Sequence, residues 1–348
     1  MTWNRPSEWR STAAIVAAVV LSCVVSGCAP PSPPTSTETG GTMWRFSGPT
    51  LGTSYSVKIV ATTLEETEQA AIQEAIETEL ETVDAAMSTY RDDSELTRFN
   101  RYGGADPMVL SVATFTVLAE AARIGDQSGG AFDVTVGPLV NALGFGPDDE
   151  VGGRKIDDTL LDALRDRVGW DKLEIDQGDR SVAKSHPAVY VDLGAIAKGY
   201  AVDRISDALA SRGYDRFMVE VGGEVRTAGV NAEGEAWRIG VERPETERAG
   251  IVEVVPLRDR AMATSGDYRN YREIDGRRIS HIIDPRTARS IRHRLASTTV
   301  VSDRCATADG WATALMVLGP EEGMKVAREE KLAVLMLVRE DDGFRHIR

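Results

Sequence analysis

An apolar run, Ala13 to Val25, opens the chain; Arg5 and Arg10 precede it and the small residues Ser26 and Gly27 follow it. A charged flank, an apolar stretch of this length and a small-residue end predict a secretory signal, too short to span a bilayer. Residues 29–42, APPSPPTSTETGGT, carry no hydrophobic period and read as a flexible tether. A folded pattern starts near Trp44. Alternation through Tyr55-Ser56-Val57-Lys58-Ile59-Val60 predicts a strand. Ile72, Ile76, Leu80, Val83 and Met87 recur at helical spacing, and a further helix is predicted from Ala113 to Ile124, stopped by Gly125.

The second half is richer in strands. Ala188 to Val191 is predicted as a strand that runs into Asp192-Leu193-Gly194 and then a helix from Ala195 to Leu209. Phe217–Val221, Trp237–Val241, Ile251–Val255, Ser297–Val301 and Leu332–Val338 have strand patterns, the last with a short partner after Asp341-Asp342-Gly343. Asp275-Gly276 is a tight-hairpin signature, and a helix is predicted from Arg304 to Val317. There is no repeat and no second linker. The expected organisation is a signal over 1–27, a lipidated cysteine and tether over 28–43, and one compact, two-lobed α/β (α+β) catalytic domain over 44–348.

Composition sharpens this picture. About 320 residues remain after the signal, and 42% hydrophobic with 27% charged residues is ordinary for a globular protein with a real core. A formal charge of -14 argues against nucleic acid, which needs a basic footprint. Val25-Ser26-Gly27-Cys28 resembles a bacterial lipobox, in which cleavage leaves Cys28 as a lipidated N-terminus; the other reading is an ordinary signal with an incidental cysteine. The lipobox reading places the protein on the periplasmic side of a bacterial membrane, held by lipid. Of the three cysteines, Cys23 leaves with the signal and Cys28 is the anchor. No intramolecular disulfide is therefore expected, and Cys305 reads as a buried small hydrophobe rather than a nucleophile.

Nucleotide and zinc signatures of the commoner kinds are missing: no G-x-x-x-x-G-K-[ST], no G-x-G-x-x-G, no H-E-x-x-H, and only four histidines. Two segments offer other devices. Asp309 and Thr313 lie four apart on one predicted helix face among small residues, which suits a magnesium ion with few protein ligands. Equally, Asp309 could cap a late-starting helix while Thr313 bonds back to a carbonyl. In Asp192-Leu193-Gly194-Ala195-Ile196-Ala197-Lys198, a strand, a turn and a helix start bring free N–H groups and one ammonium together, a pattern that suits phosphate. Polar groups also cluster at Met87–Glu95, Gly130–Thr135, Ala263–Tyr268 and Ser280–Pro285, where turn formation alone would explain them. His281 borders an apolar pair, and either a base or a structural histidine is compatible with that setting.

Taken in order, these segments resemble the ApbE family of FAD:protein FMN transferases. The likeness covers nearly the whole domain and runs through GPTLGTSY, MSTYRDDSELTRFN, SGGAFDVTVGPLV with GFG, DLGAIAKGYAVD, VEVGGEVRTAG, ATSGDYRNY, SHIIDPRT and ADGWATALMVLG. The resemblance implies magnesium-dependent transfer of FMN from FAD to a threonine or serine hydroxyl of a target protein, with release of AMP. It implies FAD contacts at Leu51, Tyr90, Ala131, Phe132, Asp133, Asp192, Lys198 and Ile283. It implies a metal held by the Ala195 carbonyl, Asp309 and Thr313, and His281 as the candidate base. The partners it implies are membrane redox subunits of the Nqr or Rnf type.

Three positions depart from the family pattern. Leu51 stands where methionine is usual, a volume-conserving exchange. Ala288 replaces a glycine that often follows Asp-Pro-x-Thr, and Ala312 replaces a second acid present in some members before the threonine. Two alternatives remain at this stage: a magnesium-dependent FAD pyrophosphatase giving FMN and AMP, and a non-catalytic FAD-binding lipoprotein. Asp309→Ala is expected to abolish transfer and leave the fold intact, on the premise that Asp309 is an exposed carboxylate.

Overall fold

In the computed structural model the described residues are 40–147, 158–245, 250–268, 271–274 and 277–348. The predicted signal, Cys28, most of the tether and the Asp275-Gly276 turn lie outside them. Strands β1 (Thr42–Thr50) and β2 (Thr53–Ala61) form a hairpin closed by Leu51 and Gly52, at φ 47° and 72°. Two consecutive left-handed residues match the strand twist of a tight hairpin. Helices α1 (Glu66–Met87) and α2 (Glu95–Arg101), strand β3 (Met108–Val109) and helix α3 (Val112–Gln127) follow. Next come α4 (Gly137–Ala142), α5 (Asp158–Arg165), β4 (Leu173–Asp176), β5 (Ser181–Lys184) and α6 (Ala197–Ser211).

The remaining chain is mostly hairpins: β6 (Phe217–Val221) with β7 (Glu224–Ala228), and β8 (Trp237–Glu242) with β9 (Ile251–Leu257). Strand β10 (Ala261–Gly266) precedes the pairs β11 (Tyr271–Ile274) with β12 (Arg277–Ser280) and β13 (Ile283–Asp284) with β14 (Arg289–Ser290). Strand β15 (Leu295–Ser302), helix α7 (Cys305–Glu329), β16 (Ala333–Glu340) and β17 (Gly343–Ile347) complete the fold.

Eight strands form one antiparallel sheet in the order β1-β2-β6-β7-β10-β15-β16-β17. Side chains alternate between its faces. Tyr55, Val57, Ile59, Val219, Val221, Ala263 and Met336 join the main core with helices α1, α3, α6 and α7. From the other face Met218, Val225, Met262, Leu335 and Leu337 pack against Trp237, Ile239, Val241, Val255 and Leu257 of the β8–β9 hairpin. A separate apolar cluster, including Leu139, Leu143, Leu161, Leu164, Ile283 and Ala288, ties α4 and α5 to β13–β14. The result is a mixed α/β architecture of helices, sheet and a narrow two-stranded outer layer, with that small cluster beside it.

Several sequence expectations change. The first strand starts at Thr42, inside the predicted tether, because the ladder continues through Thr42↔Ala61 and Met43↔Val60. Gly125 does not stop α3; a Cβ there would lie 3.1 Å from the Phe132 carbonyl and 3.2 Å from the Trp170 ring, so the glycine admits close packing. Residues 188–191 form no ladder. Asn100 takes its place, its amide accepting from the Val191 N–H at 2.8 Å and donating to the Val191 carbonyl at 2.8 Å. The last helix runs beyond Val317, but Gly319 at φ 77° and ψ -179° breaks it and Pro320 opens the second segment. Ala288 sits at φ 57°, which explains why a glycine suits that turn.

The start of α7 is capped from another helix. Asp203 of α6 accepts the N–H groups of Cys305 and Ala306, both at 3.0 Å, and pairs with Arg226 at 3.1 Å and Arg304 at 3.3 Å. Because this carboxylate is buried and satisfies four donors, Asp203→Ala is expected to destabilise the fold by about 3 kcal/mol. A urea unfolding curve with an unchanged midpoint would contradict that. Cys305 itself is free and buried, and burial pushes its thiol well above the ordinary range, so it is inert as a nucleophile.

Candidate active site

A short hairpin makes the cleft. Strand β10 pairs with β15 from Ala261 to Gly266 but with β7 only at Ala261 and Met262, because β7 begins at Glu224 after the Gly222-Gly223 turn. The sheet is therefore notched at this end. At Gly222, φ 60°, a Cβ would lie 3.0 Å from the Thr53 methyl and 3.2 Å from Lys198 Cδ. Glycine suits this left-handed position and lets the turn sit low against Lys198 without crowding it. The cleft that opens there has a volume of about 1500 Å³.

Every sequence-predicted site residue among the described ones lines this cleft: Leu51, Tyr90, Ala131, Phe132, Asp133, Asp192, Ala195, Lys198, His281, Ile283, Asp309 and Thr313. They come from loops and helix ends far apart in the chain. Leu51 occupies the β1–β2 turn in a left-handed conformation. Tyr90, 74% exposed, stands at the loop after α1, and its N–H donates to Ser88 Oγ at 3.3 Å. Ala131 and Phe132 are buried after the Gly129-Gly130 turn, where Ser128 Oγ accepts the Phe132 N–H at 3.0 Å.

Asp133 is buried, and its oxygens accept from the Thr135 N–H at 2.8 Å, the Thr135 hydroxyl at 2.6 Å and the Trp170 N–H at 3.0 Å. Its carboxylate thus organises the protein around it. Asp192 Oδ1 accepts the Gly194 N–H at 2.8 Å, making the turn that leads into α6. Burial raises the pKa of both acids. His281 lies between β12 and β13, half-buried, with its ring edge-on to Phe145 at 6.2 Å. The Ser280 hydroxyl accepts the Ile282 N–H at 3.2 Å, which holds this loop in place.

The centre of the site is a buried charge cluster. Lys198 Nζ lies 3.3 Å from Glu224 Oε1 and 3.7 Å from Asp309 Oδ2. Asp309 is 3% exposed, which corrects the premise that it is a surface carboxylate. Its position also removes the capping alternative, since α7 begins at Cys305 and Asp309 lies a turn further in. Asp309 Oδ2 instead accepts the Gly199 N–H at 3.0 Å. That N–H, in the first turn of α6, is therefore not free for a phosphate, contrary to the expectation for an open helix end. Thr313 does not bond back to its own helix; its hydroxyl meets Ser265 Oγ at 3.0 Å.

Two carboxylates share one ammonium here. Burial works against the charge on Lys198, but Asp309 and then Glu224 outweigh it and hold the lysine above its usual range. The carboxylate left over bears the cost: burial, with the Asp309 charge adding to it, pushes Glu224 up to about 8. Glu224 is 4% exposed and its Oε2 has no hydrogen-bond partner. Sequence reading passed over it, although Gly-Gly-Glu after a strand was a visible signal. Ser265 was likewise noted only as part of a polar segment.

Asp309, Thr313, Ser265 and the unpartnered Glu224 oxygen bring hard oxygen donors to one wall of the cleft, beside a lysine. Such donors could hold a hard divalent cation, and the lysine a phosphate. The fold and cleft thus define a phosphate-handling α/β protein. The chain belongs to the ApbE family, whose model matches residues 51–336.

The chain is 46% identical over 300 residues to an FAD:protein FMN transferase of Vibrio cholerae, covering 86% of this chain and 89% of that one. The solved structure of the flavin transferase ApbE from Vibrio cholerae superposes with a TM-score of 0.79 at 44% identity, over 88% of this chain and 97% of that one. The apo flavinyl transferase ApbE of Pseudomonas stutzeri gives 0.78 at 37% identity, over 88% and 94%.

Proposed function

We propose that this chain is an FAD:protein FMN transferase that joins FMN to a threonine or serine hydroxyl of a target protein and releases AMP. The observation that carries the reading is the meeting of Lys198, Asp309, Thr313 and His281, from three separate stretches of chain, on one cleft. In the reaction the hydroxyl oxygen forms a bond to the FMN-side phosphorus of FAD, and the bond from that phosphorus to the bridging oxygen breaks. AMP leaves with the bridging oxygen, and His281 takes the hydroxyl proton. Lys198 supplies fixed positive charge for the pyrophosphate as negative charge builds on the leaving group. Leu51, Tyr90, Ala131, Phe132, Asp133, Asp192 and Ile283 bind and orient the rest of FAD.

Asp309, Thr313 and the Ala195 carbonyl would hold magnesium, and the hard-oxygen chemistry of this wall fits it. When bound, that ion supplies Lewis-acid polarisation of the pyrophosphate. Glu224 anchors the Lys198 ammonium together with Asp309.

The targets follow from the anchoring. With Cys28 lipidated, residues 29–41 tether the domain on the periplasmic side of a membrane, within reach of Nqr- or Rnf-type redox subunits. Incubating the domain with FAD, magnesium and such a subunit should add the mass of FMN to the subunit and release AMP in equal amount. AMP without modified subunit would assign a pyrophosphatase, and no AMP at all would exclude both activities. His281→Ala is expected to lower the transfer rate by about 10²–10⁴-fold with FAD affinity retained. A stopped assay on the variant beside a flavin-fluorescence titration checks both halves.

A further inference from the structure

We infer that the acceptor segment binds as an added β-strand along the open edge of β8, resting on the reading of the chain as a protein-flavinylating enzyme. Five consecutive residues of β8, Arg238 to Glu242, line the same cleft as Lys198 and Asp309. A run of consecutive lining residues means that the strand's edge, not only one face, borders the space. On its other side β8 pairs with β9. Among the described residues, no hydrogen bond reaches the backbone of Arg238 to Val241 from the cleft side.

The ladder says which groups face outward. Arg238 is paired with Pro256, which has no N–H to give. That pair therefore falls at a non-hydrogen-bonded position of the antiparallel ladder, and the amides of Arg238 and Gly240 point to the open side. The same proline leaves the outer edge of β9 short of a donor, a device that discourages pairing there. The open edge of β8 carries no such block.

The floor beside β8 is also unfilled. The outer layer is two strands wide over an eight-stranded sheet. Lys58 and Glu220, on the sheet face next to it, are only half-buried and line the cleft. One further strand, at the roughly 4.8 Å spacing of a ladder, would extend the β8–β9 layer over this floor. The cleft, at about 1500 Å³, lies above the ~300–1,000 Å³ of drug-sized ligand sites and runs on from Lys198 and Asp309 to β8. An extended peptide is the occupant that fits. Its backbone satisfies the free amides, and its narrow cross-section carries a hydroxyl into a recess that a folded surface cannot enter.

Two substitutions at one residue separate backbone pairing from side-chain contact. Arg238→Pro removes the outward N–H and Arg238→Ala removes only the side chain; neither disturbs a hydrogen bond to β9. With a flavin-accepting subunit of a sodium-translocating quinone reductase as probe, Arg238→Pro should raise the acceptor KM about tenfold, the effect of losing one or two backbone bonds. Arg238→Ala should change it less than about twofold, and FAD affinity by fluorescence quenching should be unchanged in both. An equal KM in the proline variant, or the same loss in the alanine variant, overturns strand addition.

Hydrogen exchange on the unsubstituted enzyme gives a second readout that needs no turnover. With FAD bound, adding the subunit with its acceptor threonine replaced by alanine should slow exchange across 238–242. No protection there refutes the proposal even if transfer occurs, whereas absent transfer with protection retained faults the catalytic reading alone. Protection already present without the subunit, and lost when residues 29–41 are deleted, would make the chain's own tether the occupant and refute the proposal as stated.

Discussion

Replacing Asp309 by asparagine is expected to lower FMN transfer on the order of 10²–10³-fold while the protein stays folded. The carboxylate lies against Lys198 and is proposed to hold the cation, so its charge is what the reaction loses. Asparagine keeps the volume and an oxygen for the Gly199 N–H. Alanine would leave that buried N–H unsatisfied, at about 1–3 kcal/mol, so it is the poorer probe of mechanism. Stability in urea and turnover, measured on both variants, separate the two roles. Full activity in the asparagine variant would remove Asp309 from the metal site. The expectation that Asp309→Ala leaves the fold intact rested on exposure that the fold does not provide.

Lys198→Met should have the largest effect on stability. The substitution keeps the apolar stem and removes the one cation between Glu224 and Asp309. Breaking a buried ion pair by deleting one partner costs about 3–5 kcal/mol, because a buried charge is left uncompensated. The loss should depend on pH. Glu224 is raised above its unfolded value even with the lysine present, so its contribution is full below about pH 4.5 and fades as pH rises through about 8. Without the ammonium both carboxylates rise further, and the variant should lose most of its remaining stability between pH 5 and 8. Unfolding free energies at those two pH values, in the presence of chelator, test the sign. A variant as stable at pH 8 as at pH 5 would contradict the charge account.

How legible the fold was depended on whether the information was local. Alternation at Tyr55 to Val60 and helical spacing from Ile72 to Met87 are short-range signals, and both elements stand where the pattern placed them. The segment at 188–191 has a strand's composition, yet in place of a ladder the Val191 backbone pairs with one side chain, Asn100, from some ninety residues upstream. Gly125 reads locally as a stop, but what it meets is the Phe132 carbonyl and the Trp170 ring. The polar cluster at Ala263–Tyr268 has a turn's composition, yet its first residues belong to strand β10, where Thr264 and Ser265 bond to Thr299 and Thr313, partners invisible to any window.

The site divides the same way. Residue types with their order along the chain determined the family and most of the polar groups that line the cleft, because each motif is contiguous. Tertiary structure alone decided what those groups do to one another. It buried Asp309, turned the first-turn N–H of α6 toward a carboxylate, and brought in Glu224 as the unbalanced charge. Desolvation and pairing act over a few ångströms in space, and residues 198, 224 and 309 become neighbours only when the short β6–β7 hairpin leaves its notch in the sheet.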